Sequence, residues 1–216
     1  MKKAASFALG CKVNQYESEA IAELFAEKGY EIVGIDEEAD VYVINTCTVT
    51  NFGDKKSRQL IRKVKRQNEN AIVAVVGCYA QTAPKELMEI AGVNLVIGTK
   101  DRAQIVEMVE QYDRANGVEN HVSDIMKERV FEPLSIQKLA NRTRAYLKIQ
   151  DGCSQYCSYC IIPYARGPIR SREPQEVVAE VKRLAENGFK EVVLTGIHVA
   201  SYGKDRRDTS LLDILK

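Results

Sequence analysis

VYVINTC, residues 41–47, sets a run of β-branched and aromatic side chains against a turn that ends in cysteine. Residues of this kind suit a pleated, half-buried surface. The run has no polar alternation, as expected of a strand covered on both faces, and it is too short for a buried helix. The pattern recurs in AASFALGC (4–11) and IVAVVGC (72–78). Between the first two copies, residues 17–28 carry Ala20, Ile21, Leu24 and Phe25 at helical spacing, with Gly29 placed to end the helix. Residues 54–67 (DKKSRQLIRKVKRQ) read as a second helix, opened by Asp54. Strand and helix alternating in this way predict a parallel sheet. A short strand at 31–35, a helix at 84–90 opened by Pro84, a strand at 94–97 and a helix at 101–112 extend the pattern. The fold class is therefore α/β, with a doubly wound domain over residues 1–115.

On that map Cys11, Cys47 and Cys78 each stand just past the carboxyl end of a strand. In an open parallel sheet those ends share one edge, and a crevice opens where the strand order reverses. Gly10 and Gly77 precede two of the three and permit a sharp turn or close approach. A single cysteine at a strand end is ordinarily a small buried hydrophobe. Three in equivalent places point to a shared metal or cluster. Structural zinc takes four protein ligands and catalytic zinc often uses histidine, and neither His121 nor His198 is near these segments in sequence. A cluster held by thiolates alone fits better.

Composition removes several classes. The chain has 216 residues, 45% of them hydrophobic, enough for one large domain or for one domain and part of another. Six cysteines are too sparse for a disulfide-stapled secreted domain. No stretch approaches the roughly 18 apolar residues of a membrane span, and the apolar run in MKKAASFALGCK is too short for a secretory signal. A soluble, cytoplasmic protein without membrane contact is expected. Net charge is only +1, so any electrostatic recognition must be local. Positive charge crowds the second helix at Lys55, Lys56, Arg58, Arg62, Lys63, Lys65 and Arg66. Such a face suits RNA phosphates, with salt-sensitive binding.

The other three cysteines, Cys153, Cys157 and Cys160, form CxxxCxxC within DGCSQYCSYCIIPYARGPIRSR (151–172). The loop follows a strand-like run, AYLKI (145–149). Three thiolates can hold three corners of a [4Fe–4S] cluster and leave the fourth iron open to a substrate or cofactor. The fourth cysteine followed by proline, typical of ferredoxin loops, is absent, which weakens a purely electron-storing reading. Residues 176–186 read as a helix and 191–195 as a second strand, followed by Gly196. Residues 116–143 lack strong periodicity, contain Asn116-Gly117 and Pro133, and are read as a connection. A second domain spans 144–216.

An aromatic residue before the last cysteine, as in Cys157-Ser158-Tyr159-Cys160, resembles the radical S-adenosylmethionine (SAM) enzymes. The full 151–172 segment is similar to their methylthiotransferase branch. LGCKVNQYESE, INTCTVTN, GDKKSRQ and VVGCYAQ are similar to its tRNA threonylcarbamoyladenosine subgroup. The resemblance implies that 144–216 is the first part of a radical SAM (β/α) partial barrel. It implies two [4Fe–4S] clusters, one on Cys11, Cys47 and Cys78 and one on Cys153, Cys157 and Cys160, together with S-adenosylmethionine and an electron donor. The implied reaction transfers a methylthio group to C2 of N6-threonylcarbamoyladenosine beside the tRNA anticodon. Tyr159 would lie near the SAM adenine or simply pack the loop, and Gly196 near the methionine end of SAM. Arg166, Arg170 and Arg172 would meet the SAM carboxylate or RNA phosphate, and His198 reads as an ordinary loop histidine. Relatives complete the barrel and add a small RNA-binding β domain, so a C-terminally truncated chain is expected. Open alternatives are methylthiolation of another tRNA adenosine or of a ribosomal protein, a non-catalytic iron–sulfur protein, and a zinc-stabilised RNA-binding module.

Overall fold

The computed structural model describes residues 1–48, 51–136, 143–206 and 208–216, with the side chains of 51–54, Asp54 among them, outside the description. Strands β1 (Lys3–Ala8), β2 (Glu31–Ile32), β3 (Val41–Thr46), β4 (Ile72–Gly77), β5 (Leu95–Val96) and β6 (Glu119–Asn120) form one parallel sheet in the order β2-β1-β3-β4-β5-β6. Strand order reverses between β1 and β3, the place where such sheets bind ligands beyond their carboxyl ends. Helices α1 (Lys12–Glu27), α2 (Asn51–Gln67), α3 (Cys78–Thr82), α4 (Pro84–Met88) and α5 (Ile105–Gln111) complete this part of the fold.

Alternate residues of the central strands supply two cores because successive side chains point to opposite faces. Val41, Val43, Ala74 and Val76 pack with Ile21 and Phe25 of α1 and with Ile105, Val106 and Val109 of α5. Tyr42, Ile44, Val73 and Val75 pack with Ile61 and Val64 of α2 and Leu87 of α4. The unbroken apolar run of VYVIN is thus divided between two layers of helix, as a doubly wound sheet requires.

Residues 116–143, expected as a connection, supply β6, and Leu134 and Ile136 bury against Tyr16 and Ala20 of α1. Of this segment, 137–142 lie outside the described residues. The second sheet contains β7 (Arg144–Asp151), β8 (Arg170–Ser171) and β9 (Glu191–Gly196) in the order β8-β7-β9. β7 and β9 are parallel and linked through α7 (Pro174–Glu186), the βαβ unit expected at the start of a partial barrel. β8 is antiparallel to β7. Two short helices complete this part, α6 (Ile162–Arg166), which packs on α3, and α8 (Leu211–Leu215), which packs on α7. Among the described residues no helix is long and apolar enough to cross a membrane.

Candidate active site

The dispersed cysteines come together. Cys11, Cys47 and Cys78 line one cleft of about 370 Å³ with Asn14, Ile162, Arg166, Thr195, Gly196 and Ile197. The sheet contributes the thiols from the ends of β1, β3 and β4; the second domain contributes the start and end of α6 and the end of β9. Two glycines make this convergence possible. Gly10 has φ +99°, and a Cβ there would stand 2.6 Å from Cys47 Cβ and 2.7 Å from its Sγ. Gly77 has φ +94°, and its Cβ would stand 2.3 Å from Asn45 Oδ1. A side chain at either position would push the loops apart.

Asn14, fully buried at the start of α1, fastens the floor of the cleft. Its amide donates to Leu9 O (2.8 Å) and Thr46 O (3.0 Å), tying the loops that precede Cys11 and Cys47. Its Oδ1 accepts from Cys11 Sγ (3.5 Å) and from Arg166 Nη2 (2.7 Å).

Behind the cleft lies a buried ionic network. Arg166 Nη1 donates to Glu17 Oε1 (2.9 Å) and Asp151 Oδ1 (3.1 Å), and its Nε donates to Cys78 Sγ (3.2 Å). Arg102 pairs with Glu17 (2.6 Å) and Glu132 (2.6 Å). Lys148 pairs with Glu17 (2.8 Å) and Asp151 (2.7 Å), and Arg170 lies 3.7 Å from Asp151. Glu17, Arg102 and Arg166 have no solvent exposure. Burial pushes the Glu17 carboxyl up, but Arg102, Arg166 and Lys148 outweigh it and hold the group well below the usual carboxylate range. Asp151 is likewise held low against its own burial by Lys148, Arg166 and Arg170. Burial pushes the Cys78 thiol up, and Arg166 opposes that rise.

This network corrects one sequence expectation. Arg166, Arg170 and Arg172 do not stand free for SAM carboxylate or RNA phosphate. All three are buried; Arg166 and Arg170 serve the network, and Arg172 pairs with Glu180 (3.2 Å) and Glu176 (3.6 Å). Sequence reasoning missed Asn14, Glu17, Arg102, Lys148 and Asp151. Of these only Lys148 and Asp151 carry a local signal, as polar residues inside the largely apolar β7.

The compact cysteines occupy the loop after β7. Gly152 starts it at φ +69°, where a Cβ would be 1.9 Å from Pro168 O. Cys153 N–H donates to Gly167 O (3.0 Å), and Cys160 N–H donates to Cys157 O (2.9 Å), closing a turn through Ser158 and Tyr159. Cys157 is exposed, and Cys153 and Cys160 are partly so. Tyr159 projects from the turn with 89% of its surface exposed. Gly196 lines the cleft, packed so closely on Gln150 that a Cβ would lie 2.9 Å from its carbonyl oxygen. His198 is exposed, and its Nδ1 lies 2.5 Å from Ser201 Oγ. Among the described residues no three His, Cys, Asp or Glu side chains stand close enough to chelate a single metal ion.

On α2, Lys63 pairs with Asp36, Arg58 donates to Tyr79 Oη (2.8 Å) and Lys65 donates to Ala71 O (3.0 Å). Lys55, Lys56, Arg62 and Arg66 are exposed.

Residues 3–98 match the model of "Uncharacterized protein family UPF0004", and residues 147–214 match the radical SAM superfamily. The chain is 53% identical over 215 residues to threonylcarbamoyladenosine tRNA methylthiotransferase MtaB of Bacillus subtilis (strain 168), covering all of this chain and 48% of the relative. The chain belongs to the radical SAM methylthiotransferase family. A relative of the same name from Aquifex aeolicus (strain VF5) is 43% identical over 94% of the chain and 50% of its own length. A tRNA-2-methylthio-N(6)-dimethylallyladenosine synthase from Dictyoglomus thermophilum is 34% identical over 95% of the chain and 47% of its own length. The chain spans about half the length of the curated relatives it matches. The radical SAM match covers the compact cysteine loop, β9 and the Gly196 turn. Membership implies an iron–sulfur cluster and SAM.

Proposed function

We propose that this chain carries the catalytic half of a cytoplasmic enzyme that transfers a methylthio group to C2 of N6-threonylcarbamoyladenosine in tRNA. The observation that carries the reading is the shared cleft. Three thiols from three strand ends open into the same space as Thr195, Gly196 and Ile197 at the end of β9. A sulfur-donating centre and a SAM site need this proximity, because both act on one adenine carbon.

The donor chemistry fits two [4Fe–4S] clusters. Each trio consists of thiols alone, and each leaves a fourth corner to a non-protein ligand. Cys11, Cys47 and Cys78 would hold one cluster, and Cys153, Cys157 and Cys160 the other. When bound, the clusters supply one-electron cleavage of SAM at one centre and a sulfur-carrying iron at the other.

The protein's own contribution is positional. Asn14 fixes the loops that bear Cys11 and Cys47. Gly196 keeps the cleft floor bare of a side chain, suiting close approach by the methionine end of SAM. Tyr159, exposed on the cluster turn, would cover an adenine. The exposed cations of α2, Arg62 and Arg66 foremost, suit tRNA phosphates. An external electron donor is required.

The choice of threonylcarbamoyladenosine is supported by 53% and 43% identity to relatives so named, against 34% for the dimethylallyladenosine synthase. Nucleoside mass spectrometry of tRNA from cells lacking the gene tests it. Loss of 2-methylthio-threonylcarbamoyladenosine, with its unmethylthiolated precursor accumulating, is expected. Full retention of that nucleoside, or loss of the dimethylallyl derivative in its place, overturns the substrate assignment.

A further inference from the structure

Two adjacent residues touch one cysteine from each trio. Arg166 Nε donates to Cys78 Sγ (3.2 Å), and the carbonyl of Gly167 accepts from Cys153 N–H (3.0 Å). The pair has little freedom to shift. Gly167 has φ +69°, and a Cβ there would stand 2.4 Å from Ile125 O. Ala165 O accepts from Thr99 Oγ1 (2.7 Å), fastening the same turn to the sheet domain. Arg166 itself is fixed by Glu17, Asp151 and Asn14.

The charge count of the network gives this hydrogen bond a purpose. Four buried cations, Arg102, Lys148, Arg166 and Arg170, meet three carboxylates, Glu17, Asp151 and Glu132. One positive charge is left over among these described groups. Cys78, 3% exposed, receives an N–H from one of those cations, so the surplus positive charge lies directly against a ligand sulfur.

We propose that Arg166 is a positioning residue for the sheet-domain cluster: it hydrogen-bonds the Cys78 ligand sulfur, raises that cluster's reduction potential, and ties it to the loop of the SAM cluster through Gly167. The inference rests on the two-cluster reading. Hydrogen bonds to cluster sulfurs and nearby positive charge both favour the more negative, reduced state. The bond is confined to Cys78, so it acts on the sulfur-carrying centre and separates its potential from that of the SAM centre.

The test uses the full-length protein carrying Cys153→Ala, Cys157→Ala and Cys160→Ala, reconstituted anaerobically so that the sheet-domain cluster is the only one. About four irons per chain are expected; none bound would overturn the two-cluster reading, and the inference with it. With ¹⁵N-arginine incorporated and the cluster reduced, pulsed electron paramagnetic resonance should detect a ¹⁵N hyperfine coupling from Arg166. Its absence in a four-iron protein overturns the inference while leaving the two-cluster reading intact. Arg166→Lys keeps the charge but cannot reproduce the guanidinium fork that reaches Cys78, Glu17 and Asn14 together. A tenfold shift of the one-electron couple toward the oxidised form is expected, a midpoint lower by about 59 mV. An unchanged midpoint with the cluster intact contradicts the proposal. If this variant does not assemble a cluster, the hyperfine measurement on the arginine-containing protein decides.

Discussion

Replacing Glu17 by glutamine changes one oxygen to an amide and leaves the side chain's volume almost unaltered, yet it removes the hub of the buried network. Glu17 accepts hydrogen bonds from Arg166 and Lys148, forms an ion pair with Arg102, and is fully buried. After the change those three cations would face Asp151 and Glu132 alone. Removing one partner of a buried ionic group leaves uncompensated charge in a poorly solvated place and costs about 3–5 kcal/mol. A domain's total stability is only about 5–15 kcal/mol, so roughly a fifth or more of it is at stake. For a chain of this size about 2–4 °C of Tm accompanies each kcal/mol, which gives a fall of roughly 6–20 °C. Calorimetry and urea denaturation of the metal-free protein measure it. Because Glu17 lies in α1 and Lys148 and Asp151 in β7, the loss should also loosen the junction between domains. Unfolding followed by two probes should then split into two transitions. A Glu17→Gln protein within about 1 kcal/mol of the parent, still unfolding in one step, would refute the reasoning.

The same carboxylates set acid sensitivity. Glu17 and Asp151 are both depressed in the folded state, so their stabilisation is complete above the unfolded carboxylate range, near pH 4, and is lost as pH falls toward their folded values. Urea midpoints should therefore drop steeply below about pH 5. They should drop less steeply in Glu17→Gln, and equal slopes would show that the network does not titrate as described. Gly152→Ala drives a Cβ to within 1.9 Å of Pro168 O at a positive φ, so it should destabilise by more than about 1 kcal/mol and lower iron bound at the Cys153 loop. Normal stability and iron content would contradict that. Reversing Arg62 and Arg66 to glutamate should weaken tRNA binding and flatten the slope of log affinity against log salt by about 1–2, since each cation engaged on a phosphate releases counterions. Filter binding across a salt series with unchanged slope would remove α2 from the tRNA surface.

The sequence made the strand ends legible because that signal is local: a few apolar residues, a glycine, then cysteine. VYVINTC, AASFALGC and IVAVVGC all became strands with their cysteines at one edge. The start of α1 was less legible. The clear apolar spacing starts only after residue 17, but the helix begins at Lys12, with Val13 and Tyr16 buried and Asn14 and Glu17 turned inward to buried partners. The two-residue strands β6 and β8 are too short to carry a period of two. Sequence alone leaves Arg166 facing a ligand because its partners are far away in the chain: Glu17 lies 149 residues earlier and Cys78 lies 88 earlier. Only the folded arrangement shows that these groups neutralise one another.

The assignment of two cysteine trios to two iron–sulfur centres is tested most directly by locating iron. Anomalous diffraction at the iron edge from anaerobic crystals of the reconstituted protein should give two compact peaks. One should lie among Cys11, Cys47 and Cys78 beside Gly196, and the other against Cys153, Cys157 and Cys160. Iron at the second position alone, with the first three sulfurs unbound or holding zinc, would contradict the two-centre chemistry proposed for this chain.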